Sequence, residues 1–194
     1  LYALAQKKNK VLHCEFIGLL TEAHLLRKEM LLHNPWSTIH CSFEGGVYSW
    51  IEQELLLGHY AQLSVGRLQA LWDLAGPLTL RKVGFERRDS GYQLEVHFLD
   101  SRQREIQLRE KRAAGTRRQH SWDVVYEKEP VSSTSRIVPS DKGLFLQDLD
   151  AFIAQIQRKE QGYVSSADVI AVLHLVDQIN TNIRKIQNSR TQRL

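Results

Sequence analysis

Glu95, His97, Gln107 and Arg109 set a carboxylate, an imidazole, an amide and a guanidinium at alternating positions of two neighbouring segments. Alternate residues of a β-strand share a face, so these four would stand together on the polar side of a sheet. Such a set can line a pocket for a small polar molecule, form an interface between subunits, or face water. A second polar set lies in residues 58–76, GHYAQLSVGRLQALWDLAG, which a glycine opens and Gly76 with Pro77 closes. Read as one helix, this stretch puts Tyr60, Ser64, Arg67, Leu68, Leu71 and Ala75 on one side and His59, Gln62, Gly66, Gln69 and Asp73 on the next.

The familiar catalytic and ligand-binding signatures are absent. No G-x-G-x-x-G turn follows a strand, no G-x-x-x-x-G-K-[ST] loop occurs, and no G-x-S-x-G elbow presents a serine. The eight histidines are scattered, with no H-x-x-x-H pair, so no metal site is expected. Cys14 and Cys41 have neither metal-ligand spacing nor the density of a disulfide framework, and free thiols are expected. The residues alone describe a helix-backed sheet without a self-contained active site.

Composition sets the class. With 194 residues, 42% hydrophobic and 25% charged, the chain is ordinary for a soluble globular domain and long enough for a real core. The net charge of +4 is local: seven basic side chains stand against two acidic ones between Arg102 and Arg118. That run lacks interleaved aromatics or a recognition motif, so no nucleic-acid partner is expected. No apolar run approaches the roughly 18 residues of a membrane span and no secretory signal opens the chain, so a cytoplasmic protein without a membrane partner is expected. The start at Leu1, inside a helical pattern, suggests a fragment of a longer polypeptide.

Along the chain, the opening helical pattern and the KKNK turn precede Val11 to Phe16, which reads as a strand. Leu19 to His33 reads as a helix stopped by Pro35, and Ser37 to Phe43 as another strand. From Leu78 the period becomes two. Tyr92, Leu94, Val96 and Phe98 alternate with polar residues, as do Ile106 and Leu108, and Trp122, Val124 and Tyr126 continue the pattern. Arg88–Gly91 and Asp100–Gln103 supply the turns of an antiparallel meander. After a Ser/Thr/Pro-rich connector from Val131 to Lys142, two helices follow. Phe145, Leu149, Phe152, Ile153 and Ile156 mark the first; Val169, Val172, Leu173, Val176, Ile179, Ile183 and Ile186 mark the second. Ser165 and Asp168 resemble a capping box at the start of the second helix. The expected class is α+β: a mostly antiparallel sheet with both C-terminal helices covering its apolar face.

The segments KKNKVLHCEFIGLL, WIEQELLLGHYAQLSVGRLQALWDLAG and GLFLQDLDAFIAQIQRKEQGYVSSADVIAVLHLVDQI, in that order and spacing, resemble the C-terminal part of the Gfo/Idh/MocA oxidoreductases. Within that family they are most similar to the cyanobacterial biliverdin reductases. The resemblance spans nearly the whole chain, though none of these segments is a signature by itself. It implies that residues 1–17 are the last helix and strand of a Rossmann domain, and residues 18–194 a C-terminal α+β domain for substrate binding and oligomerisation. The intact protein would use NAD(P), held by a glycine-rich loop upstream, with no cofactor bound by this chain alone. A homo-oligomer through the open face of the sheet is implied as well.

Sugar and polyol dehydrogenases of the family carry Asp, His and Asp at i, i+4 and i+7 on the 58–76 helix. Counting back from Gly76, those places hold Gln62, Gly66 and Gln69, none of which titrates. Ordinary polyol oxidation is therefore not expected. The biliverdin reductases also lack that set, and the cyanobacterial ones have an arginine where Arg67 stands. The resemblance thus implies Arg67 as the first catalytic candidate, its guanidinium suited to a propionate-bearing tetrapyrrole or another anionic small molecule. An arginine there can equally snorkel to solvent or pair with a carboxylate. His59 is the second candidate, as a replacement for the missing imidazole. Glu95, His97 and Arg109 are the candidates for substrate binding. The reading is the C-terminal part of an NAD(P)-dependent oxidoreductase, with a non-catalytic pigment- or protein-binding relative as the alternative.

Overall fold

The computed structural model describes residues 1–88, 91–130, 142–158 and 162–191. Helix α1 (Tyr2–Lys7) and a 3-10 turn (Ile17–Leu20) lead to α2 (Glu22–His33), and α2 leads to strand β1 (Trp36–Gly45). Next come α3 (Ser49–Leu56), a second 3-10 turn (Ala61–Ser64) and α4 (Val65–Ala75). Strands β2 (Thr79–Arg88), β3 (Gly91–Leu99), β4 (Glu105–Ala113) and β5 (Gln119–Tyr126) precede α5 (Leu144–Arg158) and α6 (Ser166–Thr191). The expected turn residues Asp89 and Ser90, and positions 131–141 of the expected connector, lie outside the described residues.

The class is α+β, as expected, with one sheet in the order β2-β3-β4-β1-β5. The meander is shorter than the alternation suggested. β2, β3 and β4 pair antiparallel in sequence order. β1 then inserts parallel to β4, with Cys41 opposite Leu108, and β5 pairs antiparallel with β1 rather than with β4. Burial explains why β1 is central. Trp36, Ile39, Cys41 and Phe43 are all buried, whereas β2 and β5 at the two edges are mostly open. Gly115, with φ 72°, helps residues 114–118 turn past the end of β1.

The 58–76 stretch is not one helix. Gly58 adopts φ 76° just after α3, a backbone region that glycine enters without steric cost, and the chain restarts through the second 3-10 turn into α4. Gly76, at φ 79°, ends α4 as expected. Tyr60, Ser64, Leu68 and Leu71 do face the core.

The cover of the sheet differs from the expectation in one helix. α6 packs Val172, Leu175, Val176, Ile179 and Ile183 into the core, and Leu68 and Leu71 of α4 lie beside them against Tyr92, Leu94, Val96, Phe98, Ile106 and Leu108. These fill the apolar face, so α5 is not needed there and lies against the first 3-10 turn. Phe145, Leu149, Ile153 and Ile156 of α5 are exposed. Ser165 caps α6 as read: its Oγ accepts from the Asp168 N–H at 3.0 Å and donates to Asp168 Oδ2.

Residues 11–16, read as a strand, form none. A strand needs a ladder partner, and this segment is met instead by α5 and by Tyr163, in the turn before α6. His13 bonds Asp148 and Gln155, each at 2.9 Å, and the Phe16 N–H donates to Tyr163 Oη at 2.8 Å. Tyr163 in turn donates to Asp148 at 2.5 Å. No helix among the described residues is long and apolar enough to cross a membrane.

Candidate active site

A cleft of about 500 Å³ opens where the first 3-10 turn, α2 and α4 lie over the β1–β5 end of the sheet. Its floor comes from the strands. Phe43 and, on the adjacent strand, His120 and Trp122 share the helix-facing side, because Phe43 pairs with His120 and Cys41 with Trp122. Its walls are Leu19, Thr21, His24 and Arg27 on one side and Gly66, Arg67 and Ala70 on the other, with Arg118 at the rim. Three guanidinium groups converge on aromatic rings, and among the described residues no Asp or Glu belongs to the lining. The size is that of a site for an organic ligand of some tens of atoms.

Arg67 is held rather than free. Its Nη2 donates to Leu63 O at 2.7 Å and to Glu110, and its guanidinium carbon lies 4.1 Å from the centre of the Phe43 ring. Glu110, on β4, is wholly buried and also accepts from Ser64, from Tyr92 Oη at 2.8 Å and from Arg112 Nε at 2.5 Å. Burial by itself would raise the Glu110 carboxyl, but Arg67, Arg112 and the hydrogen bonds outweigh it and hold the group below the ordinary carboxylate range. Arg67 Nε is buried without a partner. The sequence allowed a carboxylate partner or a ligand role for Arg67; the geometry shows the first and leaves the guanidinium on the cleft wall.

Arg27 and Arg118 have no carboxylate partner among the described residues. Arg27 stacks over Trp122 at 4.5 Å and Arg118 lies 5.9 Å from the Phe43 ring centre. Their charge therefore faces the cleft without a described carboxylate against it. At the cleft mouth, desolvation together with Arg67, Arg27 and Arg118 pulls the exposed His120 down to about 4, so it is neutral at neutral pH. Beneath it, burial pushes the Cys41 thiol up to about 12. Among the described residues no group of His, Cys, Asp or Glu side chains could hold a metal ion.

The other expected residues stand elsewhere. His59 pairs with Glu54 at 2.9 Å and is not part of the cleft lining. Glu95, His97, Gln107 and Arg109 do meet, on the opposite face of the sheet. His97 bonds Glu95 at 2.9 Å and Glu105 at 3.1 Å, while Gln107 and Arg109 reach Glu95 at 2.5 and 3.5 Å. The sheet separates this set from Arg67, so the two cannot line one pocket. Gln62 accepts from Asn180 at 2.7 Å and Gln69 is buried beside a smaller cavity, so of the three positions counted back from Gly76 only Gly66 borders the cleft.

Sequence reasoning did not select Arg27, Arg118, His120 or Trp122. The signal was present in part: Arg118, His120 and Trp122 alternate, as side chains on one face of a strand must. His24 and Arg27, three apart on α2, were equally visible as a pair on one helical side.

No protein-family model and no curated protein matches the chain. Solved structures do. Biliverdin reductase from Synechocystis sp. PCC 6803, solved in complex with biliverdin and NADP+, superposes with a TM-score of 0.72 at 16% identity. That alignment covers 93% of this chain and 65% of the reductase. A putative myo-inositol dehydrogenase from Sinorhizobium meliloti 1021 gives 0.69 at 11% identity, covering 93% and 66%. The scyllo-inositol dehydrogenase of Lactobacillus casei, solved with NAD(H) and scyllo-inositol, gives 0.63 at 10%, covering 90% and 63%. The chain thus spans less than two thirds of each of these proteins. These neighbours are Gfo/Idh/MocA-family oxidoreductases, and the fold of this chain is that of their α+β portion, consistent with the family's C-terminal domain.

Proposed function

We propose that this chain is the substrate-binding and oligomerisation part of a cytoplasmic NAD(P)-dependent oxidoreductase that acts on an anionic conjugated molecule, a linear tetrapyrrole being the leading candidate. The observation that carries this reading is the cleft itself: Arg27, Arg67 and Arg118 above Phe43 and Trp122, with no carboxylate among the described lining residues. Guanidinium groups recognise propionates through charge-assisted, often bidentate hydrogen bonds, and the aromatic floor suits a flat conjugated body. Support comes from the Synechocystis reductase, whose structure holds biliverdin and NADP+.

The residues present do not fit a dinucleotide. The turn from β1 into α3, Gly45-Gly46-Val47-Tyr48, lacks the G-x-G-x-x-G spacing that receives a pyrophosphate. In this reading the cofactor is held by residues outside the chain, and the chain's part is to bind and orient the acceptor. The open sheet face with Glu95, His97 and Arg109 serves assembly into a homo-oligomer. A second reading, a non-catalytic pigment-binding relative, is favoured by Gln62, Gly66 and Gln69, which leave α4 and the turn before it without a titrating side chain at the positions counted back from Gly76.

Biliverdin binding, followed by quenching of tryptophan emission from Trp122, tests the proposal. Arg67→Ala should weaken binding by more than about tenfold, the worth of one charge-assisted hydrogen bond. Equal affinity in the variant would remove Arg67 from the site. Consumption of reduced nicotinamide by the full-length polypeptide with biliverdin separates the catalytic reading from the non-catalytic one.

A further inference from the structure

A buried histidine on the cleft wall, paired with a half-buried aspartate behind it, has no role in anion binding. His24 is 3% exposed, lines the cleft, and places Nε2 2.8 Å from Asp73 Oδ2 on α4. Lys28, one turn further along α2, donates to Asp73 Oδ1 at 2.8 Å and Oδ2 at 3.0 Å. The backbone of His24 is fixed too, because its N–H donates to the Thr21 cap at 3.3 Å. Forty-nine residues separate His24 from Asp73, so no motif scan would join them.

The protonation pattern follows from the partners. Burial tends to raise the Asp73 carboxyl, but the hydrogen bonds from His24 and Lys28 outweigh it and hold the group below the ordinary range. An ionised carboxylate only accepts, so His24 keeps its hydrogen on Nε2. The variable proton is then on Nδ1, which takes no hydrogen-bond partner among the described residues. Neutral His24 presents a bare Nδ1; the imidazolium presents an N–H.

The other groups around the cleft cannot take this part at neutral pH. Arg27 on α2, Arg67 on α4 and Arg118 at the rim remain charged guanidiniums. His120 has already lost its ring proton, Cys41 keeps its hydrogen, and Thr21 donates to Gly18 O at 2.8 Å. Gly66, opposite, brings no side chain, and a Cβ built there would meet nothing within 4 Å.

We propose that His24, its ring fixed by Asp73, is the proton donor of the arginine-lined cleft and delivers a proton from Nδ1 to a basic nitrogen or oxygen of an anionic ligand bound there. The Nδ1–H bond breaks, the ligand atom gains the hydrogen, and His24 is left neutral with Nε2–H still on Asp73. Water at the open cleft restores the proton. This assignment rests on the cleft-binding reading above for its ligand, and the test keeps the two apart.

Biliverdin is the probe, because its absorption spectrum distinguishes a protonated from a neutral pigment. The wild-type protein should bind it in the protonated form at a pH where free pigment is neutral. His24→Gln, which retains a donor toward Asp73, should lose less than about tenfold in affinity, and its bound pigment should be neutral. Asp73→Asn, which removes the ionised partner, should shift the pH at which bound pigment loses its proton downward. A protonated spectrum that persists in His24→Gln overturns the proposal and leaves the binding reading intact. If wild-type protein binds no biliverdin, the binding reading fails, and the ring of His24 is judged alone by ¹⁵N NMR. The ring hydrogen of neutral His24 should sit on Nε2, held by Asp73; a neutral ring with its hydrogen on Nδ1 overturns the assignment.

Discussion

Glu110 and Glu95 stand on neighbouring strands, one register step apart. Glu110 pairs across the ladder with Leu94, and Glu95 with Arg109, so the two carboxylates point to opposite faces of one sheet. Both are surrounded by hydrogen-bond donors. Glu110 is sealed under α4 with Arg67, Arg112, Ser64 and Tyr92 converging on it. Glu95 meets His97, Gln107 and Arg109 on the open face with 31% of its side chain exposed. Two guanidiniums and two hydroxyls meet Glu110, an imidazole, an amide and a guanidinium meet Glu95, and the surrounding dielectric differs as well. Desolvated charges interact strongly and leave a large penalty when one is removed, whereas water screens the open-face set. The sequence reading took the open-face set as binding residues because strand alternation displays it. The sealed set is the one that fixes a cleft residue.

The largest expected effect is on stability. Glu110→Ala should cost about 3 kcal/mol or more by leaving the buried Arg112 and the half-buried Arg67 without their carboxylate, read from urea unfolding midpoints. A loss no greater than that of a surface pair would erase the contrast between the faces.

Acid should expose the same contrast. The Glu110 carboxyl is depressed in the folded state, so its contribution is present above the ordinary carboxylate value of about 4.3 and is lost as pH falls through its lower folded value. Wild-type stability should fall steeply there, and Glu110→Gln should flatten that limb. Glu95 is also depressed, with burial opposed by His97 and Arg109, but its exposure lets solvent screen the effect. Glu95→Gln should leave the acid limb nearly unchanged.

Gly66→Ala sharpens the comparison from the cleft side. Alanine should stabilise α4 by up to about 1 kcal/mol, since a helical glycine costs that much and the added Cβ meets nothing within 4 Å. The same methyl enters the cleft, so biliverdin affinity should fall while the melting temperature rises. A rise in both would place the ligand away from Gly66. The smallest effect belongs to the open face: Glu95→Gln should change stability by less than about 1 kcal/mol, and added salt should erase even that.

Local patterns were readable where local physics decides. Alternation in Tyr92–Phe98 and Ile106–Leu108 marked β3 and β4, the apolar period from Val169 to Ile186 marked α6, and Ser165 with Asp168 marked its cap. Long-range partners were not readable. Nothing in Trp36–Gly45 says that it will lie between strands formed by residues more than sixty positions later, and that insertion turned an expected meander into a mixed sheet. α5 carries the apolar period of a sheet-covering helix, yet α4 and α6 already filled the space. At the site, Arg67 was legible through resemblance, while Glu110 looked like one more polar residue of a charged strand. His24 and Asp73 meet only in three dimensions.

The insertion of β1 also bears on how the chain folds. β1 precedes β4 and β5 in the chain, and both of its hydrogen-bonding edges are completed only by those two later strands. Until those strands arrive it carries two unpaired rows of backbone groups beside the buried side chains Ile39, Cys41 and Phe43. Loop closure over such separations slows folding, and an unpaired apolar strand is open to other chains meanwhile. The β2-β3-β4 hairpins can form from local contacts, but the cleft, whose floor is Phe43 with His120 and Trp122, comes into being only when the first strand and the last have met.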